Sequence, residues 1–366
     1  MKIVGIIAEY NPMHNGHMYH LEEINKENPD IKILVLSGAL TMRGDLSIYN
    51  KFIKAKEALQ AGIDIVIELP LAYSMQRADI FASNAVSILN LARVNEIIIG
   101  SENNDISLYE SIYKNNIENR NKDISMKESS NQLMDLDSND TLGYFYYKSI
   151  QDHHYNIILK TIKRLNSKYK DKDITGGFIQ SATAIRANLD EMEKYVPSFV
   201  YQDRKSILDE NMLFPYLKYK ILSTNVEDLK NIFFVDEGIE YKLKDIKDYD
   251  SLDSFIEYLS NKKYTKTRMK RMLMYILFNI KKDEINQISS PNYLRVLGYS
   301  NKGKEYLNHI KKDVPIYTNI KEGIHNALDM ELKISKILDS IYHIDLLKSE
   351  QKGPIRTKVN RNSLYE

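Results

Sequence analysis

The chain contains no cysteine and no tryptophan, and it lacks long apolar runs. Without cysteine, disulfides, thiolate zinc sites, iron–sulfur clusters and a cysteine nucleophile are all excluded. No apolar stretch approaches the ~20 residues of a membrane span, and the short apolar N-terminus meets Glu9 too early to be a signal peptide. We therefore expect a soluble, cytoplasmic protein, and a cysteine-free composition fits that expectation.

An excess of charge of one sign is also missing, because 51 Lys and Arg residues stand against 50 Asp and Glu residues. A formal net charge of +1 argues neither for nor against a polyanionic partner, so only a local patch can do so. P-loop, Gly-x-Gly-x-x-Gly, Gly-x-Ser-x-Gly and zincin motifs are absent as well. With 366 residues, 43% of them hydrophobic, the chain suits two domains with sizeable cores.

Strand-like and helix-like patterns alternate over the first hundred residues. Apolar runs of strand length occupy residues 2–7, 31–37, 63–69 and 96–99, with a later one at 157–164. Helix-like segments lie between them at residues 17–26, 50–61 and 78–92. This order predicts an α/β fold with a doubly wound parallel sheet. Ligands in such sheets bind at the carboxyl ends of the strands, near the point where the strand order switches.

The alternation stops after about residue 196, and helical periodicity dominates from there. It runs to residue 282 and returns over 301–312 and 323–342. We interpret Arg295-Val296-Leu297-Gly298 as a structural turn without chemistry. The pattern predicts a mostly α-helical second domain. The predicted boundaries are 1–195 for the α/β domain, 196–347 for the helical domain and 348–366 for a basic tail.

The segment after the first predicted strand carries His14-Asn15-Gly16-His17 where the first helix would begin. A helix N-terminus offers free N–H groups and a positive dipole end to anions, and Gly16 lets the backbone approach a phosphate closely. His14 and His17 can add hydrogen bonds to the same oxygens, which is what nucleotidyl transfer requires. The alternative is an ordinary capped helix with surface histidines. A metal site that includes His20 is disfavoured, because residues i and i+6 do not share a helix face.

A second motif, Ser181-Ala182-Thr183-Ala184-Ile185-Arg186, opens a later helix. A hydroxyl of Ser181 or Thr183 at the helix start, with Arg186 on the first turn, makes a second phosphate clamp. On its own the motif also fits a capped helix with one surface arginine. Its pairing with the upstream histidine motif, in this order, is the specific signal.

These two motifs resemble those of the HIGH superfamily of nucleotidyltransferases and aminoacyl-tRNA synthetases. Longer strings resemble the bacterial tRNA(Met) cytidine acetate ligase family, and the resemblance runs from Lys2 to about Tyr317. It is weak over residues 103–140 and after about 320. The strings are Glu9-Tyr10-Asn11-Pro12-Met13-His14-Asn15-Gly16-His17, Leu36-Ser37-Gly38, Arg43-Gly44, Gly62-Ile63-Asp64-Ile65-Val66-Ile67-Glu68-Leu69-Pro70, Gly100-Ser101-Glu102 and Arg295-Val296-Leu297-Gly298-Tyr299.

The resemblance implies an ATP-dependent ligase that works in two steps on a nucleotidyltransferase-like fold. ATP and acetate would form acetyl-adenylate and pyrophosphate. The acetyl group would then pass to N4 of the wobble cytidine of elongator tRNA(Met), giving N4-acetylcytidine and AMP. Mg²⁺ is expected as the counter-ion of ATP, but no acidic cluster identifies a metal site of the protein. Neither a membrane nor DNA is an expected partner.

The resemblance also implies the residues of the ATP site. His14 and His17 would bind the phosphates and stabilise the adenylation transition state, and Arg186 would hold the polyphosphate. Asn139, Lys163 and Arg164 are weaker candidates for the same site. The remaining implied residues are Ile7, Ala8, Glu9, Tyr10, Asn11, Pro12, Met13, Asn15, Gly16, Met18, Tyr19, His20, Gly100, Ser101, Ser181 and Thr183.

The chain departs from the family pattern at Met13, around residues 39–42 and at Asn50. Polar roles at positions 39, 42 and 50 are therefore not carried over. Arg43 and Lys51 remain as candidates for contacting acetate or the tRNA anticodon.

Residues 260–282 form a local cluster of positive charge, with eight Lys and Arg residues and no acid. Such a cluster is the expected footprint of an RNA backbone site, and a solvated helix face is the alternative. The family resemblance favours contact with tRNA. The buried stripe is assigned to Met272, Tyr275, Ile276 and Asn279. Lys266, Arg268, Lys270 and Arg271 are left to face solvent or phosphates.

Two other functions stay open at this point. One is a nucleotidyltransferase that adenylates a small phosphorylated metabolite, although such enzymes are typically much shorter. The other is a non-catalytic nucleotide- or RNA-binding protein, against which intact His14, His17 and Arg186 count.

Overall fold

The computed structural model describes residues 1–121, 136–165 and 177–357. The last part of the predicted basic tail, residues 358–366, lies outside the described residues. Within the described residues, no helix is long and apolar enough to span a membrane.

Eight strands of the described chain form one sheet. They are β1 (Ile3–Ala8), β2 (Ile31–Ser37), β3 (Ile65–Leu69), β4 (Glu96–Ser101), β5 (Ile158–Lys163), β6 (Leu294–Ser300), β7 (Ile316–Tyr317) and β8 (Ile355–Thr357). The spatial order is β5-β4-β1-β2-β3-β6-β7, and β8 also pairs with β6. Strands β1 to β5 run parallel to one another, so the predicted parallel sheet is confirmed.

Helices connect and cover the strands. In the described residues they are α1 (Asn15–Lys26), α2 (Lys51–Gln60), α3 (Leu71–Ser74), α4 (Ala78–Leu91), α5 (Ile106–Asn121), α6 (Ser138–Asp152), α7 (Ala182–Ala187), α8 (Ser198–Gln202), α9 (Phe214–Ser223), α10 (Val226–Lys230), α11 (Ile239–Lys242), α12 (Leu252–Leu259), α13 (Lys266–Leu277), α14 (Lys282–Asn286), α15 (Asn301–Ile310), α16 (Asn326–Tyr342) and α17 (Leu346–Lys352). Single 3₁₀ turns lie at Leu189–Lys194, Arg204–Ser206, Glu210–Leu213 and Leu243–Asp248.

Strand β1 lies at the switch in strand order. It pairs with β2 on one side and β4 on the other, so the chain winds one way through β2 and β3 and the other way through β4 and β5. The strands are rich in Ile, Val and Leu because both faces of the sheet are covered; every residue of β3 is buried. The carboxyl ends of β1 and β4 therefore meet at one edge, where a ligand site is expected.

The strand β6 contradicts the prediction of a turn at residues 295–298. It pairs antiparallel with β3, with Val66 opposite Gly298 and Ile65 opposite Tyr299. The region after residue 196 is mostly helical as predicted, but it returns to the sheet of the first 195 residues through β6, β7 and β8. A strand with an arginine inside it is an unusual pattern, and Arg295 is tolerated there because carboxylates from distant elements surround it.

Those carboxylates belong to a buried ionic cluster. Lys51 Nζ lies 2.5 Å from Glu68 Oε1, 2.9 Å from Glu331 Oε2 and 2.5 Å from Glu350 Oε1. Arg295 Nη2 lies 2.8 Å from Glu350 Oε2. Burial and the neighbouring Glu331 raise the pKa of Glu68 well above its usual range, and one proton on Glu68 leaves the five groups electrically balanced. The Lys51 ammonium group is therefore buried among its carboxylate partners, and the prediction that it contacts acetate or the anticodon is wrong.

Candidate active site

A cavity of about 210 Å³ lies where the carboxyl ends of β1, β4 and β5 meet the N-termini of α1 and α7. Its position is the one expected for a switch point in a doubly wound sheet. Most of the predicted nucleotide-site residues line it. They are Ile7, Ala8, Glu9, Tyr10, Asn11, His14, Gly16, His17, Tyr19, His20, Gly100, Asn139, Lys163, Arg164, Ser181 and Arg186.

The two histidines of the first motif cap helix α1 as a pair. His14 Nδ1 accepts a hydrogen bond from the Gly16 N–H at 3.1 Å, and His17 Nδ1 accepts one from the His14 N–H at 3.1 Å. Their rings stack with centroids 3.8 Å apart. Because both Nδ1 atoms are acceptors, a neutral ring carries its proton on Nε2. Each Nε2–H group is then available to donate to a ligand.

Both histidines are neutral at physiological pH. Burial, together with the charges of Arg164 and Arg186, lowers the pKa of His14 to about 3. Burial and the neighbouring His14 hold the pKa of His17 well below its usual range. The pair therefore acts on an anion as two hydrogen-bond donors added to a helix N-terminus, without a permanent charge.

The second motif adds a cation from the other side of the cavity. Ser181 caps α7 by accepting a hydrogen bond from the Ala184 N–H at 3.0 Å. Arg186 Nη1 donates to the Asn11 carbonyl at 2.7 Å, and its Nη2 lies 3.8 Å from Asp45 Oδ2. The structure thus brings Arg186 to the loop that carries the histidines, as the order of the motifs predicts.

A second arginine lies at the end of β5. Arg164 Nε is 3.3 Å from Glu102 Oε1, and Asn139 Nδ2 donates to the same oxygen at 2.5 Å. The side chain of Arg164 runs over Gly100, where an added Cβ would stand 3.2 Å from Arg164 Cγ. Gly100 therefore gives this arginine the space to reach the cavity.

Six predicted residues do not line the cavity. Asn15 is buried and donates to the Phe178 and Lys194 carbonyls, which ties α1 to the chain around α7. Ser101 is buried against Asp140. These side chains shape the loops around the site and do not face its interior. The six residues are Pro12, Met13, Asn15, Met18, Ser101 and Thr183.

Sequence reasoning did not assign the other residues that line the cavity, which come from strands as well as from loops and helices. The only available signal was the Arg43-Gly44 string. Gly44 has φ +86°, and an added Cβ there would stand 3.0 Å from the Arg271 backbone nitrogen, so this turn packs directly on α13. Beside Arg43, the additional lining residues are Ile6, Thr41, Met42, Asp45, Phe81, Ile99, Ser138, Leu142, Tyr146, Ile162, Leu165, Ile179 and Ala182.

A buried lysine ties together the ends of two strands beside the cavity. Lys54 Nζ donates to the carbonyls of Glu9 at 3.0 Å, Ser37 at 2.8 Å and Gly38 at 3.0 Å. It thereby joins the carboxyl ends of β1 and β2 where the loops of the site begin. Burial lowers the pKa of Lys54 to about 8.

Helix α13 only partly presents its cations as expected. Lys270 Nζ is held by Asp45 Oδ1 at 2.6 Å and Glu210 Oε2 at 2.7 Å, and Arg271 Nη1 donates to the Gln76 carbonyl at 2.8 Å. The expectation that these two side chains face solvent is therefore wrong. Lys266 is exposed and pairs with Glu257, and Arg268 lies over the Tyr264 ring at 4.8 Å. RNA contact by this helix stays a prediction.

Comparisons with known proteins identify the relatives of this chain. Residues 1–353 match the family model described as HIGH Nucleotidyl Transferase. The chain is 37% identical to the tRNA(Met) cytidine acetate ligase of Geobacillus sp. (strain WCH70), over 97% of this chain and 99% of that protein. It is 35% identical to the same-named protein of Oceanobacillus iheyensis, over 97% of this chain and 100% of the relative. Its structure is similar to that of Thermotoga maritima TmcAL bound with alpha-thio ATP, with a TM-score of 0.81, 25% identity and coverage of 98% and 100% of the two chains.

Proposed function

Because this chain belongs to the HIGH nucleotidyl transferase family and, within it, to the tRNA(Met) cytidine acetate ligases, we propose that it activates acetate with ATP and acetylates tRNA. Acetate and ATP form acetyl-adenylate and pyrophosphate. The acetyl group then passes to N4 of the wobble cytidine of elongator tRNA(Met), giving N4-acetylcytidine. The observation that carries this proposal is the His14–His17 pair, whose Nε2–H groups are free to donate into the same cavity that Arg186 enters.

In the adenylation step, a carboxylate oxygen of acetate attacks the α-phosphorus of ATP and pyrophosphate leaves. Negative charge builds on the phosphate oxygens as the bond to pyrophosphate breaks. His14 and His17 meet that charge with two N–H donors at the start of α1, and Arg186 supplies positive charge. One such preorganised donor is worth about 3 kcal/mol of transition-state stabilisation.

Magnesium enters the proposal only as the counter-ion that accompanies ATP. In the parts of the chain that the structure describes, no group of three or more His, Cys, Asp or Glu side chains is arranged to hold a metal ion. The side chains around the cavity instead include three arginines, Arg43, Arg164 and Arg186. We assign the protein side of phosphate binding to these groups and route no step through a metal.

We further propose that catalysis belongs to residues 1–195 and tRNA binding to the helices of residues 196–347. Lys266 and Arg268 are the proposed contacts with the tRNA backbone. Both lie on α13, and its neighbour Lys270 pairs with Asp45 at the cavity. A tRNA bound to this helix therefore lies close to the adenylate. A tRNA substrate also implies a cytoplasmic location.

Pyrophosphate release from ATP tests the proposal directly. It is measured with and without acetate and with and without bulk tRNA, and the tRNA nucleosides are then analysed by mass spectrometry. Acetate-dependent release with appearance of N4-acetylcytidine is expected. Pyrophosphate release that does not depend on acetate or tRNA would indicate a small-molecule nucleotidyltransferase. Absence of release would indicate a binding protein.

A further inference from the structure

The carboxyl group of Glu9 lines the cavity at the point where β1 ends. Glu9 Oε1 accepts a hydrogen bond from the Met42 N–H at 2.6 Å. Among the described residues, no donor reaches the second oxygen, Oε2. One oxygen thus fixes the carboxyl group and the other is left to act on a ligand in the cavity.

The phosphate-binding histidines cannot take a proton in this arrangement. The ring lone pairs of His14 and His17 are used by backbone N–H groups at 3.1 Å each. Their lowered pKa values also make them weak bases. They can donate hydrogen bonds to phosphate, but they cannot accept a proton in the transfer step.

The other carboxylate that lines the cavity, Asp45, already interacts with cationic side chains. Asp45 Oδ1 binds Lys270 at 2.6 Å, and Asp45 Oδ2 lies 3.8 Å from Arg186. The other candidate for the proton acceptor is His20, whose Nε2 has no hydrogen-bond partner among the described residues. Burial and the charge of Arg164 lower the pKa of His20 to about 4, which makes it a poor proton acceptor.

The surroundings of Glu9 strengthen it as a base. The charged and titratable groups that act on it are Asp45, Lys54 and Arg43, and Tyr146 lines the same cavity. Burial is the largest influence and raises the pKa of Glu9, against the hydrogen bond from Met42. A carboxyl group with a raised pKa is suited to accept a proton near neutral pH.

Building on the proposed function, we infer that Glu9 Oε2 accepts the proton that cytidine N4 loses during acetyl transfer. The N4–carbon bond forms as the bond between the acetyl carbon and the phosphate oxygen breaks, and its electron pair leaves with AMP. The N4 proton passes to the Glu9 carboxylate and then to solvent. A base has to remove this proton, because the N4 amino group gains positive charge as it attacks the acetyl carbon with both of its protons in place.

The experiment separates the two chemical steps in the full-length protein. Acetate-dependent exchange of labelled pyrophosphate into ATP reports adenylation without any acceptor, and N4-acetylcytidine in purified elongator tRNA(Met) reports transfer. Both are measured for the parent, Glu9→Gln and His20→Gln. Glu22→Gln, at an exposed position of α1, is the matched control for the loss of a carboxylate. Stabilisation of each variant by ATP in thermal unfolding checks that the site is folded.

Glu9→Gln is expected to lose transfer by at least ~100-fold more than it loses exchange, as for removal of a general base that acts in the second step. Equal loss of both activities, retention of transfer, or loss of transfer in His20→Gln alone would overturn the assignment. The proposed function is tested by the parent itself. A parent without acetate-dependent exchange or N4-acetylcytidine would refute that function and, with it, the inference, whatever the variants do.

Discussion

At the scale of single residues, the imidazoles of His14 and His17 have a structural role and a proposed chemical role. Their Nδ1 atoms accept the hydrogen bonds that cap α1, and their Nε2–H groups are left to donate to a phosphate in the proposed reaction. Because the cap fixes each ring, little reorganisation is needed when charge develops on a phosphate. The same arrangement means that a substitution at either position tests both roles.

Removal of either imidazole N–H donor is expected to reduce adenylation strongly. His14→Ala and His17→Ala should each lower acetate-dependent pyrophosphate–ATP exchange by ~10²–10³-fold, because one hydrogen bond to the phosphates is lost. Loss of a cap costs only about 1 kcal/mol of stability, so both variants should remain folded by circular dichroism. His309→Ala, on an exposed position of α15, is the control. Normal exchange in either site variant would remove these histidines from the mechanism.

The buried histidines also make stability depend on pH. The folded pKa values of His14 and His20 are about 3 and about 4, below the ordinary 6.5. Between the lowered pKa of the folded state and the ordinary pKa of 6.5, each imidazole is protonated in the unfolded chain but not in the folded protein. The free energy of unfolding therefore falls as pH is lowered from 7 toward 4. Each histidine contributes up to about 1.4 kcal/mol per pH unit in this window.

Urea unfolding at pH 7, 6 and 5 measures this effect. His20→Gln should give a shallower fall than the parent, whereas His309→Gln should follow the parent. An identical pH dependence in the parent and His20→Gln would show that this imidazole does not resist protonation in the folded state.

Single residues also show which parts of the site could be predicted from sequence. His14, His17 and Ser181 were identifiable because a helix cap depends on neighbours within three positions. Lys270 was not, because its partner Asp45 is 225 positions away in sequence. Lys51 was misread for the same reason, since Glu331 is 280 positions away. A cationic side chain carries no local sign of the carboxylate that neutralises it.

At the scale of whole elements, the parallel strands β1 to β5 were predictable and β6 was not. The first five are apolar runs of strand length, which is the usual pattern for a strand covered on both faces. Strand β6 contains Arg295, whose buried position depends on Glu350 at 2.8 Å. The motif of β6 was visible in the sequence, but its antiparallel pairing with β3 is a long-range contact that no local pattern encodes.

Helix α13 provides the prediction at this scale. Replacing Lys266 and Arg268 together by Gln should weaken tRNA binding and reduce its salt dependence by a slope of up to ~1.5, if both contact phosphates. Lys270 and Arg271 are left intact, because they hold the turn at residues 41–45 against this helix. Filter binding at several salt concentrations measures the slope.

The matched control for α13 is the pair Lys114→Gln and Lys348→Gln, which removes equal charge from exposed positions on other helices. Acetate-dependent pyrophosphate–ATP exchange should be unchanged in the α13 variant. Unchanged tRNA affinity would instead favour the interpretation of Lys266 and Arg268 as a solvated helix face.

At the scale of the whole molecule, the buried ionic cluster joins the C-terminal helices to the sheet. Glu350 on α17 contacts both Lys51 and Arg295. Glu350→Ala should destabilise the protein by about 3–5 kcal/mol, because two cations lose a buried partner. Urea unfolding checks this value, with Glu305→Ala at an exposed position as the control. A loss no larger than that of the control would mean that α17 is not required to close the fold.

The antiparallel pairing of β3 with residues 294–300 restricts the order in which the protein can be assembled on the ribosome. All five parallel strands precede residue 164, whereas β3 obtains its outer neighbour only when residues 294–300 have been made. A nascent chain therefore carries an unpaired edge of β3 throughout synthesis of the helical region. Exposed strand edges are templates for pairing with other chains. The interval before β6 emerges is thus the stage at which aggregation of the nascent chain competes with its folding.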